Sequence, residues 1–176
     1  MKYFLTTLSI VLSSVYAVQS HAHALGAHVH GIATLDISQD QKILTINLSS
    51  PLDNLIGFEH IAQTDKQKAQ VKTMQLQLNQ AASLFAFSPA AQCSLQSVKL
   101  DSLVLTPNKP QKPEEVGHAD LDGEFIFSCN KAENLHAIDL KLFDFFPNLH
   151  VVKAAMVTAK VQTAATLTPQ NRRISW

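Results

Sequence analysis

His28-Val29-His30-Gly31-Ile32-Ala33-Thr34-Leu35-Asp36-Ile37-Ser38 and, three residues later, Lys42-Ile43-Leu44-Thr45-Ile46-Asn47-Leu48-Ser49-Ser50 decide how this chain folds. In the first stretch Val29, Ala33, Leu35 and Ile37 fall on one side. His28, His30, Thr34 and Asp36 fall on the other, with Ile32 interrupting the polar series. Successive side chains of a strand point to opposite faces, so this alternation argues a half-buried strand. The second stretch repeats the pattern with Leu44, Ile46 and Leu48 inward. The short Gln39-Asp40-Gln41 link between them predicts a hairpin. Pro51 then ends the second strand, because proline has no N–H for the ladder.

Outward from this hairpin, residues 51–60 read as a turn-rich loop. Thr64 and Gln67 make a capping-box pattern, and Val71, Met74, Leu78, Ala81 and Phe85 follow near helical spacing. Together they predict one long helix over residues 64–84 with an apolar stripe toward the core. Residues 92–106 are strand-like, and Pro107, Pro110 and Pro113 mark an extended loop ending near Gly117. Residues 118–129 alternate again, with Leu121, Phe125, Phe127 and Cys129 on one face and His118, Asp120, Asp122 and Glu124 on the other. Residues 135–143 and 149–161 read as two more strands joined by an apolar corner at Phe143, Phe145, Phe146 and Pro147. Leu167 and Ile174-Ser175-Trp176 suggest a final short hairpin. Most links are too short for parallel crossovers. The expected fold is α+β: an antiparallel sheet of roughly six or seven strands with one long helix packed on a face.

The N-terminus reads as an export signal: Lys2, then only apolar and hydroxyl residues over 3–16, then a small-x-small cut at Val15-Tyr16-Ala17. Ala22-His23-Ala24 offers a later cut. Residues 1–17 are thus assigned to the signal, and residues 18–176 to a single domain. The apolar run is too short for a stable membrane span, and no cysteine stands at the cut for lipidation. Removing Lys2 leaves 14 − 1 = 13 Lys and Arg against 14 Asp and Glu, a net charge of −1. That balance argues against a nucleic-acid binder, which needs a basic excess. In an oxidising compartment Cys93 and Cys129 have one possible intramolecular pairing, the alternative being two buried thiols. No CxxC spacing supports a cysteine-based zinc site.

Eight histidines are the compositional oddity. On a strand, residues i and i+2 share a face, so His28 and His30 would present two imidazoles to one ion. Zn²⁺ usually takes four ligands, so two histidines are half a site. His118-Ala119-Asp120 has the same spacing, and Glu59-His60 lies in a loop that can reach across a sheet edge. The candidate metal set is therefore His28, His30, Glu59, His60, His118 and Asp120. The bland alternative is a polar sheet face bearing solvated histidines. His21 and His23 read as an N-terminal tail, His136 and His150 as structural residues, and Asp120, Asp122 and Glu124 as a solvated strand face. Copper is a rival for the same imidazoles, although no Met-rich cluster accompanies them. Enzyme templates find little: no GxSxG, no HExxH and no phosphate-cradling glycine loop are present. No enzyme activity is expected.

The run Gly26-Ala27-His28-Val29-His30-Gly31-Ile32-Ala33-Thr34-Leu35 resembles the opening of the ZrgA-type, zinc-regulated family of periplasmic zinc-uptake proteins. The resemblance continues through Leu48-Ser49-Ser50-Pro51-Leu52-Asp53-Asn54-Leu55-Ile56-Gly57-Phe58-Glu59-His60 and Pro89-Ala90-Ala91-Gln92-Cys93. It returns at His118, Phe125-Ile126-Phe127-Ser128-Cys129 and Leu142-Phe143-Asp144-Phe145-Phe146-Pro147. It implies a zinc-binding protein of the Gram-negative periplasm, made when zinc is scarce and supporting zinc import. His28, His30, Glu59, His60 and His118 are metal-associated by that resemblance. So is the handover partner, another periplasmic zinc binder or an inner-membrane zinc transporter. Relatives often carry a His/Asp/Glu-rich tract where this chain has Pro107-Asn108-Lys109-Pro110-Gln111-Lys112-Pro113-Glu114-Glu115, without histidine. Bulk zinc collection is therefore not expected, and few ions should bind per monomer. Three functional readings follow: a zinc-binding accessory of zinc uptake, a metal-independent protein-interaction module, and, more distantly, a zinc hydrolase.

Overall fold

The computed structural model describes residues 29–106 and 119–176. The expected export signal, His21, His23, His28, His118 and the expected proline-marked loop lie outside the described residues. Strands β1 (Ile32–Asp40) and β2 (Ile43–Pro51) form the expected hairpin, with Asp40 opposite Ile43 and Leu35 opposite Leu48. Its tight turn carries Gln41 at φ 51. The first strand starts later than its alternation suggested. Val29 is 52% exposed rather than inward, and residues 29–31 form a turn ahead of β1. The strand argument for pairing the two HxH imidazoles therefore does not apply to His30.

Short helix α1 (Leu52–Ile56) occupies what the sequence presented as loop. The single long helix expected over residues 64–84 is replaced by shorter ones. Helix α2 (Asp65–Asn79) begins with the expected capping box, in which Thr64 accepts from Gln67 N–H and the Gln67 side chain accepts from Thr64 N–H. It stops at Gln80, where φ −90 and ψ 43 leave the helical region. After a single turn, α3 (Ala81–Leu84), the chain extends as β3 (Phe85–Phe87). Phe85 reaches the core from a strand rather than from a helical stripe, packing edge-on at 5.3 Å from Phe125.

Strand β4 (Cys93–Asp101) follows, then β5 (Asp120–Cys129), β6 (Ala137–Leu140), the turn of helix α4 (Leu142–Phe145), β7 (Val151–Val157), β8 (Gln162–Leu167) and β9 (Arg173–Ser175). The larger sheet has six strands in the order β4-β5-β2-β1-β7-β8, and β3-β6-β9 make a second, three-stranded sheet. The larger sheet is mixed, not purely antiparallel: β1 and β7 run parallel, with Leu35 opposite Ala154. Short links between consecutive strands forbid parallel neighbours only for those strands, and the long excursion from Pro51 to Leu149 returns β7 to the far side of β1. The expected closing hairpin is not formed either. β8 pairs with β7 and β9 with β6, and the link between β8 and β9 holds an antiparallel bridge between Thr168 and Asn171.

Leu35, Leu44, Ile46, Leu48, Phe125, Phe127, Val152 and Met156 form one buried face of the large sheet. Met74 and Leu78 from α2, and Ile138, Leu140 and Ile174 from the small sheet, close the same core. The opposite face, with Thr34, Asp36, Asn47, Lys99, Asp122 and Glu124, has no layer on it among the described residues. Cys93 and Cys129 sit opposite one another in β4 and β5 and are disulfide-bonded. The bond ties the edge strand β4 to its neighbour.

Candidate metal centre

The centre is built on the turn that precedes β1. Gly31 has φ +83, a left-handed conformation that side chains resist, and a Cβ there would lie 2.9 Å from His150 Cδ2. The turn closes with Ile32 N–H donating to Val29 C=O at 3.1 Å. Gly31 C=O accepts from both His150 N–H (2.9 Å) and Val151 N–H (2.8 Å), which fastens the turn to the start of β7.

The side chain of Asn54, 1% exposed, holds the same turn from the other side. Its Oδ1 accepts from Gly31 N–H at 2.5 Å, and its Nδ2 donates to Ile32 C=O at 2.9 Å and Ser50 Oγ at 3.1 Å. A buried amide that satisfies a backbone donor and a backbone acceptor at once is a rigid clamp. The residues it grips, Gly31 and Ile32, directly follow His30 in the chain.

Asn54 is positioned by α1. Pro51 precedes this helix, and Gly57, at φ 80, ends it by donating its N–H to Asp53 C=O at 2.9 Å. Asn148 Nδ2 donates to the same carbonyl at 3.2 Å. The Asp53 backbone is thereby fixed, and its carboxylate Oδ2 lies 3.7 Å from His30 Nδ1. The chain leaving Gly57 carries Glu59 to the other edge of the ring, with Glu59 Oε1 3.1 Å from His30 Nε2. The Glu59 side chain is only 10% exposed, whereas that of His30 is 57% exposed. One imidazole therefore stands between two carboxylates, one on each nitrogen.

Of the six residues expected to hold metal, the structure brings His30 and Glu59 together. His60 is next to Glu59 in the chain, but its Nδ1 lies 3.0 Å from Ile61 C=O and its ring packs against Phe58 at 5.0 Å between centroids. A carbonyl can only accept, so this contact places the ring proton on Nδ1 and leaves Nε2 with a lone pair. Asp120 opens β5 opposite Pro51, and Ala119 C=O accepts Leu52 N–H at 3.0 Å, one residue from Asp53. His28 and His118 lie outside the described residues. His136 and His150 have backbone roles: His136 C=O accepts Trp176 N–H, and His150 packs on Gly31.

Asp53 and Asn54 were passed over in the sequence because residues 51–60 looked like plain loop. Pro51 before and Gly57 after a short apolar run was the available sign of a helix that could present them. Asp36, Asp101, Asp122 and Glu124, with Lys99, line an open groove of about 350 Å³ on the uncovered sheet face. Among the described residues, no three His, Cys, Asp or Glu side chains already converge in the manner of a metal cluster. The donors present still suit zinc. Imidazole nitrogen and carboxylate oxygen are both within its preferred set, and Glu59 supplies a largely desolvated negative charge.

No helix among the described residues is long and apolar enough to cross a membrane. No curated protein matches the chain. A family model described as ZrgA family zinc uptake protein matches residues 27–176, from just before the HVHG sequence to the last residue. The chain belongs to the ZrgA family of zinc uptake proteins.

Proposed function

We propose that this protein is a zinc-binding accessory of zinc uptake in the periplasm of a Gram-negative bacterium. It holds Zn²⁺ through His30 Nε2 and the Glu59 carboxylate and passes it on rather than catalysing a reaction. The observation that supports this reading is the 3.1 Å approach of His30 Nε2 to a Glu59 side chain that is 10% exposed. Imidazole nitrogen and carboxylate oxygen both belong to the donor set that zinc prefers. His28, His60, His118 and Asp120 are the candidates to complete the four-coordinate shell. His60 keeps Nε2 available, and Asp120 and the residue after His118 are fastened beside α1. The family match and the cross-strand disulfide agree with export to an oxidising compartment. The receiving partner would be a second periplasmic zinc binder or an inner-membrane zinc transporter.

The test is calorimetric titration of zinc into EDTA-stripped protein, beside His30→Ala and Glu59→Gln. One saturable site per monomer, weakened strongly in both variants, supports the proposal. Because protons compete with metal for imidazole, its affinity should also fall as pH drops through the histidine range near 6.5. Undiminished binding in both variants would remove His30 and Glu59 from the site. Absence of any saturable site in the wild type would end the zinc-carrier reading and leave the interaction-module alternative.

A further inference from the structure

We infer that Asp53 is a positioning residue that sets the tautomer of His30 for metal, and that it does not ligate the metal itself. The inference rests on the zinc-binding reading above and adds which ring nitrogen faces the ion and which group prepares it.

A neutral imidazole carries one N–H and one lone pair, and only the lone-pair nitrogen can bind metal. His30 has Asp53 Oδ2 3.7 Å from Nδ1 and Glu59 Oε1 3.1 Å from Nε2. A carboxylate thus faces each ring nitrogen, with Glu59 the nearer and Asp53 Oδ2 just beyond hydrogen-bond distance of Nδ1. Without metal the nearer carboxylate is Glu59, and a ring proton on Nε2 would keep an ion from binding beside it. For Zn²⁺ to enter between Nε2 and Glu59, the ring proton must reside on Nδ1. Asp53 is the carboxylate on that side, and a closure of a few tenths of an ångström would bring its Oδ2 within hydrogen-bond range of Nδ1. Ligating histidines generally donate their second N–H to a carboxylate or carbonyl, which fixes the ring and raises its basicity.

The two carboxylates are supported differently, and this decides their roles. Glu59 is 10% exposed at its side chain and Asp53 is 30% exposed. The less hydrated carboxylate gains more from meeting a cation. Asp53 belongs to a helix whose Asp53 carbonyl is held by Gly57 and Asn148, while its neighbour Asn54 grips Gly31 and Ile32. Consecutive residues of one helical turn thus address the His30 ring and the backbone that carries it. That arrangement fixes an orientation, which is what a positioning group requires.

The experiment is long-range ¹H–¹⁵N correlation of the histidine rings in ¹⁵N-histidine-labelled protein, with the His30 signals assigned by their absence in His30→Ala. Spectra would be taken metal-free and with one equivalent of zinc. The expected result is a proton on Nδ1 and metal-type shifts at Nε2 in the zinc form. In parallel, zinc affinity would be measured by competition with a chelating dye. Asp53→Ala should weaken zinc by roughly 10- to 100-fold. Asp53→Asn, whose amide oxygen can still accept the Nδ1 proton, should recover part of that loss. A zinc form with its proton on Nε2 would overturn the inference, because it would make Asp53 the ligand and Glu59 the orienting group. An Asp53→Ala affinity within twofold of wild type would overturn it too. If His30→Ala binds zinc as tightly as wild type, the parent reading fails and this inference falls with it. If His30→Ala is impaired while the Asp53 variants are not, only the inference fails.

Discussion

Replacing Asn54 by alanine would remove the clamp on the turn that carries His30, and the cost can be worked from its contacts. The substitution strips the acceptor from the buried Gly31 N–H and the donor from the half-buried Ile32 C=O. A buried backbone group left without a partner costs about 1–3 kcal/mol, with less for one that water can reach. Ser50 Oγ loses one neighbour but still donates to Pro51 C=O at 3.1 Å, so it adds little. The sum is a destabilisation of roughly 2–4 kcal/mol. Asn54→Asp is the sharper companion. It keeps an acceptor for Gly31 N–H but turns the donor toward Ile32 C=O into a charged oxygen, so it should cost at least as much at neutral pH. Urea denaturation with unchanged m-values would read both shifts. Zinc affinity should fall in whichever variant remains folded, because His30 precedes the loosened residue. A loss below about 0.5 kcal/mol in Asn54→Ala, the level of an ordinary surface change, would refute the clamp argument.

Gly31→Ala should cost about 1–2 kcal/mol from its left-handed backbone alone and also disturb His150, which the new Cβ would meet at 2.9 Å; thermal unfolding and zinc titration would show both effects. Reduction of Cys93–Cys129, or replacement of both by alanine, should lower stability by roughly 3–4 kcal/mol for a closed loop of this size, read by denaturation with and without reductant. The Arg173 guanidinium donates to both Asp139 oxygens, at 2.8 and 2.7 Å, and holds that carboxyl below its ordinary value of 3.8, partly against burial. A lowered folded-state value means the contact stabilises fully above pH 3.8 and is lost as pH falls through the lower value. Asp139→Asn should therefore unfold at a slightly lower temperature than wild type at pH 6, with the gap closing in acid, and a gap that persists in acid would contradict this assignment.

Where alternation was strict the sequence could be read directly. Leu44, Ile46 and Leu48, and Phe125, Phe127 and Cys129, point inward as their period requires, and the Thr64–Gln67 capping box forms. What was not legible depends on long-range partners. No local pattern shows that β7 returns parallel to β1, since that pairing is chosen by the whole excursion between them. The helix break at Gln80 is equally hidden, because tertiary packing pulls Phe85 into a strand against Leu140 while helical spacing alone would continue. At the site, Glu59 and His30 were visible as residue types able to bind metal. Their meeting depends on the Gly31 turn, which breaks the strand pattern, and on α1, which hid in an apparent loop. Asp53 was missed for that reason: its meaning comes from the ring it faces, not from its spacing to a candidate ligand.

The measurement that bears most directly on the central claim is a crystal structure of the stoichiometric zinc complex with anomalous difference maps recorded on both sides of the zinc absorption edge. The account predicts one strong peak between His30 Nε2 and the Glu59 carboxylate, with zinc–nitrogen and zinc–oxygen distances of about 2.0–2.2 Å. A peak in the groove of Asp36, Asp101, Asp122 and Glu124, with His30 and Glu59 still in contact and metal-free, would contradict it.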